Sequence, residues 1–143
     1  MKELFKGTID FLDLEFHHFG LAVKYPDQMR TYLQLLGYKS QKAIINKFNV
    51  YIQFHDHELM PRIELIYKYK DSTPIDNILK SNDSLIYHTC YRCNNINRTV
   101  QILKEKGFKI FCVSKSTEDF PFSFYYIKEI GLIELFEDIS YFQ

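Results

Sequence analysis

No sign of charge dominates this chain of 143 residues: 18 basic and 18 acidic side chains cancel, leaving a formal net charge of zero with histidine neutral. The two signs are mixed along the sequence, so a nucleic acid or an anionic membrane has no electrostatic footprint to recognise. A small-molecule or protein partner is expected instead. No apolar run reaches 18 residues, and the first 15 residues interleave Glu3, Asp10, Asp13 and Glu15 with apolar residues instead of forming a signal-peptide core. A cytoplasmic protein is therefore expected. There are only three cysteines, an odd number without the spacing of a disulfide framework, which fits a reducing compartment. Low-complexity segments are also absent. A chain of this length buries roughly two thirds of its unfolded surface, so one domain over 1–143 is expected, with no need of disulfide or metal staples.

What the chain does have is an internal repeat. The triplet IEL occurs in PRIELIY and again in GLIELFE, and each glutamate lies 46 residues after a histidine, His18 before Glu64 and His88 before Glu134. A shift of 70 positions also sets Gly37-Tyr38-Lys39 on Gly107-Phe108-Lys109, Leu33 on Leu103 and Phe54 on Phe124. Each half opens with an alternating, strand-like stretch, 16–23 and 86–93. A helix follows. In the first half Met29, Tyr32, Leu33 and Leu36 have the spacing of one buried face, with Gly37 as the left-handed stop; Ile96, Thr99, Val100, Leu103 and Gly107 repeat this. Three strand-like segments close each half, 39–46, 48–55 and 61–67, then 108–114, 122–128 and 131–137. The expected fold is α+β, with two βαβββ modules at about 16–67 and 86–138. Between them DSTPIDNILK predicts a connecting helix at about 73–80, with Thr73 as N-cap and Ile75, Ile78 and Leu79 on one side.

Strand parity then selects chemistry. Phe19, Leu21 and Val23 share one face, suited to pack on the helix, and His18, Gly20 and Ala22 share the other. The same parity puts Glu64 opposite the packing side chains Ile63 and Leu65, and the second half repeats the pattern with His88 and Glu134. Two imidazoles and two carboxylates on the concave side of a mixed sheet suit one divalent ion such as Zn, Ni, Co, Mn or Fe. Any one of these residues alone would ordinarily be a structural strand residue. The matched register of all four favours a metal site, because two buried glutamates without neutralisation are costly. Such an ion with two open positions accepts adjacent substrate oxygens as a Lewis acid, while Glu134, with Glu64 as its counterpart, moves a proton on the neighbouring carbon.

These motifs, HHFGLAV with GY after the helix, PRIELIY, STPIDNIL, the YH at 87–88 and IGLIELFED, resemble the vicinal oxygen chelate superfamily over about 17–138. The resemblance is closest to the branch with methylmalonyl-CoA epimerase and lactoylglutathione lyase-related proteins. It implies one glyoxalase-like domain, a homodimer, and metal ligation at His18, Glu64, His88 and Glu134. It also implies a metal-dependent isomerase, epimerase or lyase acting on a small acyl thioester, such as an acyl-CoA, or on a hemithioacetal thiol adduct. A non-catalytic drug- or metabolite-binding protein is the alternative within the superfamily, and an iron dioxygenase a further one, disfavoured by the fourth ligand Glu64. Two departures stand out: 39–49 has no acid where similar epimerases carry one, and STEDFPFSFYY replaces a Gly-rich loop.

Several signals are read as structural. His17 takes the face opposite His18, and the cysteines of CYRC, three apart on a strand, point to opposite faces. The HDH at 55–57 is expected in a solvated turn before Pro61. Arg92, with the parity of His88, meets either an anionic substrate group or a nearby acid. Phe122, Phe124 and Tyr126 share the face of Glu134 as pocket wall or core.

Overall fold

The computed structural model describes residues 12–137, so the acidic residues that precede Leu12, and Asp138, lie outside the described residues. Among the described residues, nine strands in a mixed sheet and three helices make the α+β architecture. In chain order they are β1 (Leu14–Val23), α1 (Pro26–Leu35), β2 (Lys39–Ser40), β3 (Ile44–Ile45), β4 (Val50–Asp56), β5 (Ile63–Lys68) and α2 (Asp76–Ser81). β6 (Ser84–Cys93), α3 (Ile96–Glu105), β7 (Ile110–Ser114), β8 (Phe122–Ile127) and β9 (Gly131–Phe136) follow. The chain forms two compact units, one of His17–Cys90 and the other of the described residues before His17 and after Cys90. No helix among the described residues is long and apolar enough to cross a membrane.

In the unit of His17–Cys90 the strand order is β2-β4-β5-β1-β6, with β3 also on β4. β1 runs parallel to β5, with Gly20 beside Glu64 and Ala22 beside Ile66, and β5 is antiparallel to β4, with Glu64 opposite Phe54. Leu21, Val23 and Leu65 form one buried face that packs on Met29 of α1, as the alternation predicts. The opposite face carries Ala22, Ile52 and Ile66, covered by Ile75, Ile78 and Leu79 around α2.

α1 begins with Pro26 in its first turn and ends before Gly37, which has φ +98°, a conformation that side chains with a Cβ resist. Its contact stripe is narrower than the spacing predicts. Leu33 is buried, whereas Tyr32 and Leu36 are exposed, because the helix meets the sheet along the Met29–Leu33 row. Truncating Leu33 to alanine should cost about 2–5 kcal/mol. The predicted strand over 39–46 is split into β2 and β3, since the pairing with β4 slips by one residue between Ser40–His55 and Ile44–Ile52. The connecting helix starts later than predicted, at Asp76. Thr73 still organises its entry: its hydroxyl donates to Asp76 Oδ1 at 2.7 Å, its backbone N–H to Oδ2 at 3.0 Å, and its Oγ1 accepts from Ile75 N–H.

In the other unit β9-β8-β7 form an antiparallel run, with Glu134 opposite Phe124. α3 lays Ile96, Val100 and Leu103 on Cys93, Tyr125, Ile127, Ile133 and Leu135, and Thr99 is also buried, so the face predicted for this helix is the one it buries. The Asn95 side chain caps it by accepting from Arg98 N–H at 2.9 Å.

Candidate metal centre

His18 comes from the middle of β1, Glu64 from β5 and His88 from β6, and all three are buried, at 1%, 8% and 3% exposure. Parallel pairing of Gly20 with Glu64 puts that carboxylate one step from His18 on the face opposite α1. His18 Nε2 lies 3.4 Å from Glu64 Oε1, and His88 Nε2 lies 3.6 Å from the same oxygen. Ligand atoms of the three residues lie within 4.8 Å of one another.

The position of the His88 ring depends on Gly20. A Cβ built on Gly20 would sit 2.0 Å from His88 Cε1 and 2.5 Å from its Nε2, so the imidazole occupies space that any other residue would fill. The sequence shows a small residue there, but not that the ring of another strand lies over it.

His18 is oriented from its other nitrogen. His17 Nδ1 and His18 Nδ1 are 2.7 Å apart, which leaves His18 Nε2 to face Glu64. Phe54, opposite Glu64 on β4, supports the ring edge-on at 5.2 Å. Here the strand-parity reading of His17 is corrected. Its ring contacts both His18 and Phe54, so it does not lie on the far face as strict alternation predicts.

The donor set fits a divalent ion. Two ligands each about 2.1 Å from a common ion stand roughly 3.0–3.4 Å apart for octahedral or tetrahedral angles. The observed 3.4 and 3.6 Å are close to that, without the shorter contacts of a well-made hydrogen bond. Two imidazoles and a carboxylate are also borderline donors that suit the first-row metals and zinc better than calcium or magnesium. His17, His18 and Cys90 form a second group of approaching donor atoms. It lacks a carboxylate and competes for His18.

Glu134 occupies the matching place in the other unit: it is 4% exposed on β9, with Phe124 opposite, as Glu64 has Phe54. Phe122 and Tyr126 share its face, Phe122 buried against Phe136 and Tyr126 exposed. Arg92 settles on an acid, its guanidinium 3.2 Å from Glu15 Oε2. Cys90 and Cys93 are both buried, Cys93 within the apolar core of its unit, where burial pushes its thiol pKa up.

The reading of 55–57 as a solvated turn is wrong for two of its three residues. His55 and Asp56 end β4, His55 at 1% exposure, because β4 runs on to pair with β2 through Ser40–His55 and Lys39–Asp56. Only His57 is in the loop, where its ring bonds Leu36 O and accepts from Leu59 and Met60 N–H.

Solved structures with this fold include methylmalonyl-CoA epimerase from Mycobacterium tuberculosis, 18% identical over 92% of this chain and 93% of that one, with a TM-score of 0.71. A hypothetical protein from Bacillus halodurans is 20% identical over 88% and 95% of the two chains, with a TM-score of 0.68. A variant of the Streptomyces coelicolor epimerase, in complex with 2-nitronate-propionyl-CoA, is 12% identical over 87% and 96%, with a TM-score of 0.63. At these identities the likeness shows the fold. No curated protein matches the chain. The sequence profile of the glyoxalase/bleomycin resistance protein/dioxygenase superfamily matches residues 17–126, and the chain belongs to that superfamily.

Proposed function

We propose that this protein is a metal-dependent isomerase, epimerase or lyase that moves the α-proton of a small acyl thioester or hemithioacetal. The observation that carries the reading is the convergence of His18 and His88 Nε2 on the Glu64 carboxylate, with Gly20 leaving the room that the His88 ring occupies. The superfamily match and the fold shared with methylmalonyl-CoA epimerases support it. In this reading Glu134 joins His18, Glu64 and His88 as the fourth donor to one divalent ion per chain, whether Zn, Ni, Co, Mn or Fe. The protein acts as a homodimer.

When bound, the metal would supply Lewis acidity to two adjacent substrate oxygens, and so raise the acidity of the C–H next to the polarised carbonyl. The residues of the chain do the rest. The Glu134 carboxylate takes the proton from the α-carbon and returns it, either to the same carbon or to its neighbour. Glu64 serves the other face, because no acid is present in 39–49 to do so. Phe54 and Phe124, opposite the two glutamates on their strands, wall the site and keep water from the abstracted proton.

The test is exchange of the substrate α-proton with deuterium from solvent, using an acyl-CoA and a hemithioacetal, on metal-loaded protein. Glu134→Gln should reduce exchange at least about a thousandfold while leaving the far-ultraviolet dichroism unchanged. Full exchange by that variant would remove Glu134 from its role. Binding of both compounds with no exchange by the wild type would instead establish a non-catalytic binding protein.

A further inference from the structure

Outside the metal centre, on the opposite face of the sheet, lies a cleft of about 660 Å³ between α1 and the β2–β4 edge. Its lining includes Arg30, Gln34, Tyr38, Lys39, Ser40 and His55, and also the acid Asp27 that pairs with Arg30. We propose that it is a second binding site, for a small hydroxylated carboxylate, whose hydroxyl donates to His55 Nε2 and whose carboxylate meets Arg30. The inference is independent of the proposed chemistry at the metal donors.

His55 carries the argument. Its Nδ1 lies 3.1 Å from the Gln53 carbonyl oxygen, which can only accept, so the ring proton sits on Nδ1 and Nε2 presents a lone pair. That Nε2 is fully buried and has no hydrogen-bond partner in the protein, and His55 is among the residues that line the cleft. An acceptor withdrawn from water is normally satisfied, and this one needs a donor brought from outside. Burial, followed by the nearby Arg30 charge, holds the imidazole below its ordinary pKa, in keeping with a neutral acceptor.

The rest of the lining sets the class of ligand. Arg30 is held by Asp27, by Gln53 Oε1 at 3.4 Å and by the Tyr67 ring at 5.3 Å from its guanidinium carbon, so its fork is oriented before any ligand arrives. Ser40 pairs directly with His55 across β2 and β4 and so shares its face. Tyr38 spends its hydroxyl on Pro61 O at 2.7 Å and offers the ligand its ring. A volume of this size suits a small organic molecule. The register-equivalent of His55 in the other half is Tyr125, packed in an apolar core, so the strand position itself does not require a polar side chain.

The experiment compares L-malate with succinate, which lacks only the hydroxyl, by titration of 15N-labelled protein. Malate should bind at least about tenfold tighter than succinate. Its signature should be a shift of the His55 Nε2 resonance, with amide shifts confined to α1, β2 and the end of β4. His55→Phe should erase the preference, and Arg30→Gln should weaken both acids. Equal binding of the two acids, no binding of either at 10 mM (about 3 kcal/mol of affinity or less), or malate shifts centred on His18 and His88 would each overturn the proposal. Because the wild-type resonances report the site directly, the outcome does not depend on the variants folding.

Discussion

Strands β1 and β6 are register-equivalents that answer different demands. His18 and His88 stand at matching positions, yet two residues on, Gly20 of β1 corresponds to Cys90 of β6. The His88 ring lies over Gly20, where a Cβ would collide with it, whereas Cys90 is a buried residue that has a Cβ. The same contrast appears on β4 and β8: His55 ends in a polar cleft, and Tyr125 in an apolar core with Ile127, Ile133 and Leu135. A repeat can thus preserve backbone register and donor spacing while each half specialises single positions, both beside the donors and on the opposite face.

The largest effect should come from removing the matched pair. A His18→Ala, His88→Ala double variant should fall from about one divalent ion per chain to background in elemental analysis, and lose proton exchange with it. Retention of the ion would refute the site. Gly20→Ala should come next, lowering metal affinity roughly 10–100-fold by displacing the His88 ring, as loss of a supporting contact does at other metal sites. The mirrored change Cys90→Ala keeps the Cβ and should leave affinity within about threefold, provided His17, His18 and Cys90 are not the metal group. If the two variants weaken metal equally, Gly20 has no special place.

Acid should separate His55 from Tyr125 more gently. The folded pKa of His55 lies below its ordinary 6.5, so between the two values the unfolded chain binds more protons. The stability contributed by the neutral ring is complete above about pH 6.5 and is lost as pH falls toward the folded value. Asp56 adds a second slope at lower pH. Burial alone would raise it, but the hydrogen bonds from Arg62 and Gln41 bring it below 3.8, so its contribution is present above that pH and lost beneath it. In chelated protein, melting temperature against pH should flatten just below pH 6.5 for His55→Phe relative to wild type, and a parallel pair of curves would contradict this. The smallest effect is expected at Glu15→Gln, which removes the partner of Arg92 at a half-exposed site and should cost under about 1 kcal/mol in denaturant melts.

Much of the fold was legible because it rests on periodicities of two and 3.6. The alternation in HHFGLAV placed Leu21 and Val23 on α1, and the 70-residue register matched Phe54 with Phe124, which the structure then sets opposite Glu64 and Glu134. Illegible were features set by a neighbour. The slip that divides β2 from β3 arises in pairing with β4, and the exposure of Tyr32 and Leu36 arises from where α1 touches the sheet. His17 departs from strict parity because its ring is drawn to His18 and Phe54.

The sequence by itself determined the strands, the helices and the histidine and glutamate positions of the repeat, since local patterning reports which side of an element an apolar or polar residue takes. Only the tertiary structure decided that Gly20 is the seat of the His88 ring, that Nε2 atoms from two strands meet one Glu64 oxygen, and that His55 is buried beside a cleft with an acceptor no group of the protein satisfies. Each of these is a distance between residues far apart in the chain, and spacing along the chain carries no information about it until the strands have paired.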